Sequence, residues 1–333
     1  MTAVLFVRLS AMGDVVHGLG AVAALHEARP DWRLVFVTQT TTAPLLRDLP
    51  GVARVVLFER RGGLSALWRL RRALREEPFD FALDLQGNWK SALIARLAGA
   101  RTSLGMTGEW AQEPASRVLL RRSVREPGVP HPAMAAWHLV RAIAPEVSFR
   151  AARLVATPAE VTHERRALAA IGVDACRPFR VVVVTDGADP RALRPECVVD
   201  LARDPQLPVL YLLGPAEADV APPTAAFTMR HGAGEVRRLI ALGGIVAAAG
   251  GEVVGPDQGA THVLAAAGAS CRVLFGSQDP RRTAPVDAKV FVHVSPPPCS
   301  PCRRSRCDHP SGPVCMAFTP ATGRAVAVDW PRC

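Results

Sequence analysis

The sequence predicts an α/β protein built from two doubly wound domains, and three observations carry that expectation. Short apolar runs alternate with longer helical patterns in the amino-terminal half, a proline-rich interruption follows, and a second alternating series fills the rest. At 333 residues the chain also exceeds what one hydrophobic core ordinarily supports, so two domains of about 150 residues are expected. Residues 4–7, 34–38, 55–58 and 81–85 are the first strands, and residues 15–28 have the length and composition of a helix. Pro127-Gly128-Val129-Pro130-His131-Pro132 breaks the alternation, a helix over about 133–144 follows, and residues 145–158 read as the interdomain passage. The second series runs through residues 180–184, 209–213, 253–254 and 273–275, which divides the chain into domains 1–150 and 151–333.

Charge narrows the partners. Forty Lys and Arg against thirty Asp and Glu give a formal charge of +10, which attracts nucleic acid, acidic lipid or a phosphorylated glycolipid. The positive charge is almost all arginine, clustered at 60–61, 69–75 and 121–122. With one tyrosine and few other aromatics, a base-stacking platform is poorly supported, so no nucleic-acid partner is expected. The longest apolar candidate, 239–251, falls short of the roughly 18 residues of a membrane span. The start has no basic n-region, and Arg8 and Asp14 interrupt its apolar run, so an uncleaved strand and helix are expected. Of eight cysteines, Cys299, Cys302, Cys307 and Cys315 lie together near His309. Their Cys-x2-Cys-x4-Cys-x7-Cys spacing suits zinc or an iron–sulfur cluster, but the loop is not two clean knuckle pairs and no metal is assigned.

Two segments carry the chemistry. Arg8-Leu9-Ser10-Ala11-Met12-Gly13-Asp14 places a glycine and a carboxylate where the first strand hands over to the first helix. Ligands of open α/β sheets bind outside the carboxyl ends of the strands, so Asp14 is either a reactive carboxylate at a cleft rim or the cap of that helix. Gly259-Ala260-Thr261-His262 opens an alanine-rich helix after a strand; its free amides suit phosphate oxygens, with the Thr261 hydroxyl and His262 imidazole adding hydrogen bonds. A second phosphate contact is expected after strand 180–184, at Thr185 and Gly187. No paired-carboxylate metal motif is visible, and no Gly-x-Gly-x-x-Gly follows the first strand, which argues against a dinucleotide dehydrogenase.

Four segments in order resemble one family. Phe79 through Ala92, Gly255-Pro256-Asp257-Gln258-Gly259-Ala260-Thr261-His262, and Leu274-Phe275-Gly276-Ser277-Gln278-Asp279-Pro280 look like signatures of the ADP-heptose lipopolysaccharide heptosyltransferases, glycosyltransferase family 9. Gly105-Met106 through Ser116, with His131 beyond, is similar to the branch that adds the first heptose of the inner core (heptosyltransferase I). The resemblance implies a GT-B architecture, two Rossmann-like domains facing a cleft, with the acceptor in the first and the nucleotide sugar in the second. It implies a metal-independent, inverting transfer of heptose from ADP-heptose to the 3-deoxy-octulosonic acid of lipid A, with no cofactor beyond the donor, by a cytoplasmic enzyme peripheral at the inner membrane. Another nucleotide sugar, or a catalytically silent sugar-nucleotide-binding protein, is the alternative. Asp14 matches the base, held by the loop from Ser10 to Gly13, and Arg60, Gln86, Lys90 and His131 are placed to meet an anionic acceptor. Asp257 matches the residue that contacts donor sugar hydroxyls, and Glu217 the one that binds the ribose. Three positions depart from the pattern. A lysine and a tryptophan are replaced by Ala192 and Arg194, which leaves Arg191 or Arg194 to supply the charge at the donor. Gln112 stands in place of an arginine, and Gln258 in place of a small hydroxyl residue.

Overall fold

Five consecutive buried apolar residues make β1 (Ala3–Val7), and parallel strands flank it on both sides. The computed structural model describes residues 1–59, 61–185, 189–203, 207–214, 227–230 and 235–331. The chain divides into one compact unit of Met1–Ala152 with Pro331, and a second of Arg153–Trp330.

In the first unit β1 leads into α1 (Met12–Ala28), followed by β2 (Arg33–Thr38), β3 (Val52–Leu57), α2 (Gly63–Leu74), β4 (Phe81–Asp84), α3 (Trp89–Leu97), β5 (Thr102–Met106), β6 (Arg122–Val124) and α4 (Pro132–Arg141). Among the described residues the strands form one parallel sheet in the order β3-β2-β1-β4-β5-β6. Chain order reverses between β1 and β4, and Val7 pairs with Asp84 there, so the exits of the two strands lie side by side. That switch point is where open α/β sheets leave a crevice. Leu5, Val7, Val35, Leu70, Leu74 and Ile94 are buried in the core on one side of this sheet.

The second unit repeats the plan with α5 (Pro158–Ala170), β7 (Arg180–Val184), α6 (Pro195–Ala202), β8 (Val209–Leu213), β9 (Phe227–Arg230), α7 (Val236–Ala248), β10 (Glu252–Pro256), α8 (Gly259–Ala266), β11 (Ser270–Phe275), α9 (Pro280–Thr283), β12 (Lys289–Val292) and β13 (Arg324–Val326). Its sheet runs β13-β12-β11-β10-β7-β8-β9, parallel except for the β12–β13 pair. The reversal falls between β7 and β10, and α8 starts three residues beyond β10.

Five strands escape the sequence pattern: β5, β6, β9, β12 and β13. β6 and β13 are three residues long, carry arginine and lie at sheet edges, so they show no apolar run. The apolar stretch 239–251 forms most of α7, largely buried against its own unit; no helix among the described residues is long and apolar enough to cross a membrane.

Ion pairs tie α5 to α7. Arg237 grips Glu160 with Nε at 2.7 Å and Nη2 at 2.5 Å, and Arg238 reaches the buried Glu164 at 2.8 Å. The Arg237 hydrogen bond outweighs partial burial and lowers the Glu160 carboxyl from its ordinary 4.5 to about 2. A carboxyl depressed by folding adds stability above its unfolded value and loses it as the pH falls toward the folded one. Denaturant unfolding from pH 5 to pH 2.5 should therefore show a loss of stability with acid that Glu160→Gln flattens; an identical acid slope in the variant would remove this pair from the account.

Candidate functional site

The first constellation forms where β1 and β4 exit. Arg8, the first charged side chain after a run of apolar ones, is buried, and its guanidinium is shared among three acceptors. Nη2 meets Asp14 Oδ2 at 2.6 Å, Nε donates to the Ser10 carbonyl at 3.1 Å, and Nη1 donates to the Leu85 carbonyl. Asp14 lies in the first turn of α1 rather than before the helix. Its side chain is 26 % exposed, and Oδ2 accepts a long 3.4 Å bond from Ala11 N–H. The capping reading thus survives only as a weak contact, while Arg8 holds the carboxylate with its outer edge toward solvent.

β4 contributes a second carboxylate that the sequence reading passed over. Asp84 Oδ1 accepts the amides of Gln86 and Gly87 at 3.0 and 2.9 Å, and Oδ2 is buried with no hydrogen-bond partner among the described residues. Burial raises its carboxyl above the ordinary value against the pull of these bonds and of Arg8. Gln86 is also buried and ties the two exits together by accepting Leu9 N–H at 2.9 Å. Gly87 must be glycine: its φ is +71°, and a Cβ there would lie 2.9 Å from Ala111 Cα. The next turn opens α3, where Asn88 caps the Ser91 amide and Glu113 accepts Trp89 N–H at 2.7 Å. Gln112, in the place of the expected arginine, accepts from Asn88 Nδ2 at 3.3 Å.

Ser10 and Gln86 therefore belong to one cluster with Asp14, joined through Arg8 and Leu9, and Gly13 is buried in the same turn of α1. Lys90 is exposed in the first turn of α3. His131, expected at the acceptor, is placed at the start of α4. It is buried, its Nδ1 caps α4 by accepting Ala133 N–H at 3.1 Å, and its ring packs edge-on against His17, 4.6 Å between centroids. Arg60 lies outside the described residues.

In the second unit the exits of β11, β10 and β7 are adjacent. Gln258 is the N-cap residue of α8 but gives it no side-chain cap, and no side chain among the described residues is hydrogen-bonded to the first-turn amides beginning at Gly259. The hydroxyls of Thr185, after β7, and Ser277, after β11, are buried without a hydrogen-bond partner among the described residues. Buried hydroxyls are ordinarily satisfied by protein, water or ligand, which marks this edge as a place for polar guests.

Three residues expected at the donor lie at the entrance of α8. Thr261 is fully buried, and a Cβ on Gly255 would lie 2.8 Å from its Oγ1 and 2.9 Å from Val183 Cβ; like the hydroxyls of Thr185 and Ser277, its Oγ1 is buried without a hydrogen-bond partner among the described residues. Asp257 is also buried. Its Oδ1 is 2.8 Å from His262 Nε2, and its Oδ2 accepts from Thr283 at 2.9 Å. The carboxylate and imidazole thus brace the loop between β10 and α8 in this structure instead of projecting outward.

The two candidate arginines part company. Arg191 donates to Asp257 O at 3.0 Å and clamps Asp189 through Nε at 2.9 Å and Nη2 at 2.7 Å, while Gln258 Nε2 reaches Asp189 Oδ2 at 3.3 Å. Burial alone would raise the Asp189 carboxyl, but the Arg191 bonds prevail and lower it. Arg194 instead pairs with Glu196 at 3.2 Å and donates to Ser311 O at 2.9 Å. Ala192, in the lysine position, is 1 % exposed. Ala192→Lys should therefore cost about 1–3 kcal/mol of stability, read as a lower melting temperature, and an unchanged melt would show that the position has room. Gly187 and Glu217 lie outside the described residues.

The cysteine segment straps the end of β11. Ser300 Oγ donates to Gly276 O and Arg303 N–H to Ser277 O, both at 2.7 Å. Burial, and then the neighbouring Cys302, Cys307 and Cys299, push the Cys315 thiol up to about 11. Among the described residues no group of three or more His, Cys, Asp or Glu is arranged to hold a metal ion.

The chain matches glycosyltransferase family 9 (heptosyltransferase) over residues 67–173 and 238–311, more than half its length. It is 31% identical over 129 residues to lipopolysaccharide heptosyltransferase 1 of Pseudomonas aeruginosa, a stretch covering 36% of each protein. The curated relatives are thus matched over little more than a third of their own length. Among solved structures, a family 9 glycosyltransferase from Veillonella parvula superposes with a TM-score of 0.72 at 15% identity, covering 86% of this chain and 84% of that one. Escherichia coli heptosyltransferase WaaC with ADP-2-deoxy-2-fluoro heptose gives 0.65 at 22%, covering 84% and 90%. These likenesses establish the fold as the two Rossmann-like α/β units of the GT-B class. The second matched segment spans β10, α8 and β11, the first spans β4, α3 and β5, and on that evidence the chain belongs to glycosyltransferase family 9.

Proposed function

We propose that this chain transfers heptose from ADP-heptose to the 3-deoxy-octulosonic acid of lipid A, with inversion, at the cytoplasmic face of the inner membrane. The observation that carries the reading is the N-terminus of α8, which its N-cap residue Gln258 leaves without a side-chain cap, inside the second family-matched segment. In this reading the amides beginning at Gly259, with Arg191 beside them, take the diphosphate of the donor. The acceptor hydroxyl attacks the anomeric carbon as the bond from that carbon to the diphosphate oxygen breaks. The electron pair leaves on ADP, and the hydroxyl proton passes to Asp14. A carboxylate is a weak base toward an alcohol, so proton transfer comes late, once the oxocarbenium-like transition state has made the proton acidic. Arg8 holds the carboxylate in place through Oδ2.

Calorimetry with ADP-heptose, followed by turnover on lipid A carrying 3-deoxy-octulosonic acid and assignment of the product's anomeric configuration, tests the proposal. ADP-heptose should bind in preference to UDP- and GDP-sugars, and the product should be inverted. Preference for another nucleotide sugar would move the reading to a different surface polysaccharide, in keeping with Gln258 and Ala192; binding without turnover on any acceptor would make the chain a silent sugar-nucleotide binder. Because amides and a guanidinium stabilise the leaving group, turnover should persist in EDTA. A requirement for magnesium or manganese would sink that part of the mechanism.

A further inference from the structure

The unusual surface of the first unit is the outer face of α2. The helix buries Ala66, Leu70 and Leu74 against the sheet, which accounts for its inner stripe. The opposite face should then be polar. Instead it carries Leu64 at 86 % and Trp68 at 61 % exposure, one turn apart. At 100° per residue Arg71, Arg72 and Arg75 fall on the same side as these two and, with Glu76, line a shallow hollow around Trp68. α2 contains no acidic residue, and Arg71 and Arg72 have no ion pair among the described residues. Of the acids flanking the helix, Glu59 pairs with Arg69, and Glu76, which lines the hollow, pairs with Arg54.

From this arrangement we infer that the outer face of α2 seats the protein on an anionic lipid bilayer. An interfacial helix needs apolar side chains to enter the acyl boundary and cations to meet the headgroups around them, and an indole flanked by arginines supplies both. Charge selects this occupant. A protein partner or a second copy of a +10 chain would have to bring acids to at least two unpaired guanidiniums, whereas acidic lipids present phosphates at every position around the indole. The inference rests on the glycolipid-acceptor reading for its role, since a lipid-linked acceptor is reached from the membrane surface.

The test uses the full chain and sedimentation with vesicles of equimolar phosphatidylcholine and phosphatidylglycerol, with pure phosphatidylcholine as control. The chain should bind the mixed vesicles and not the neutral ones, Trp68 fluorescence should shift to the blue, and added salt should weaken binding. Leu64→Ser with Trp68→Ser should weaken it at least about tenfold, and Arg71→Ser or Arg72→Ser about fivefold each. Melting temperatures, ADP-heptose affinity and turnover on a water-soluble delipidated acceptor should stay at the wild-type level in all of them. Absence of wild-type binding to the mixed vesicles, or variants that bind as well as wild type, overturns the inference. So does a change in oligomeric state with vesicle binding retained, which would make the face a contact between copies. Failure of ADP-heptose binding in the wild type would instead sink the proposed function, a result that the vesicle measurement does not depend on.

Discussion

Replacing Asp14 with asparagine is expected to cut turnover by about 10² to 10⁴ while leaving ADP-heptose affinity and the melting temperature near those of wild type. The variant is nearly isosteric, and its amide oxygen can still face Arg8. Arg8 also retains the Ser10 and Leu85 carbonyls, so the strand exit keeps its brace. The structural cost is therefore that of one weakened charged hydrogen bond, on the order of 1 kcal/mol. What the substitution removes is the proton acceptor, and that loss appears in single-turnover rate rather than in donor binding. Near-normal turnover in Asp14→Asn would reduce the residue to a counter-ion for Arg8 and require another base.

Arg191→Ala should weaken ADP-heptose binding by roughly 1.5–3 kcal/mol, about ten- to a hundredfold. Two losses combine. The donor gives up a guanidinium beside its diphosphate, and Asp189, released from its clamp, is left as an uncompensated carboxylate next to an anionic ligand. The second effect separates this account from simple loss of a contact. Adding Asp189→Asn to Arg191→Ala should recover part of the affinity, and a double-mutant cycle by calorimetry measures how much. If the double variant binds no better than the single one, the repulsion argument fails. If Arg191→Ala binds like wild type, the diphosphate does not lie at the entrance of α8.

Much of this protein was legible in order along the chain. Apolar runs announced β1, β2, β4, β7, β8, β10 and β11, because strands buried on both faces of a parallel sheet need uninterrupted apolar side chains, and a shorter run at 55–58 announced β3. The glycines and acids at the strand exits marked the two places proposed for the chemistry, since short polar turns follow such runs where the chain leaves the core. The edge strands β6, β9 and β13 were silent, because half their side chains meet solvent and pairing with a neighbour, not composition, makes them strands. The same limit holds at the site. Sequence named Asp14, Asp257, Thr261, His262, Arg191 and Arg194 as residue types in a suitable pattern, but the direction of each side chain depends on partners distant in sequence. Arg8 reaches Asp14 and Leu85 at once only because β1 pairs with β4; Asp257 turns inward because Thr283 and His262 meet it; Arg194 is drawn away by Ser311, 117 residues on. Local sequence determined which chemistry was available at each strand exit, and the register of the parallel sheets decided which of those groups face one another.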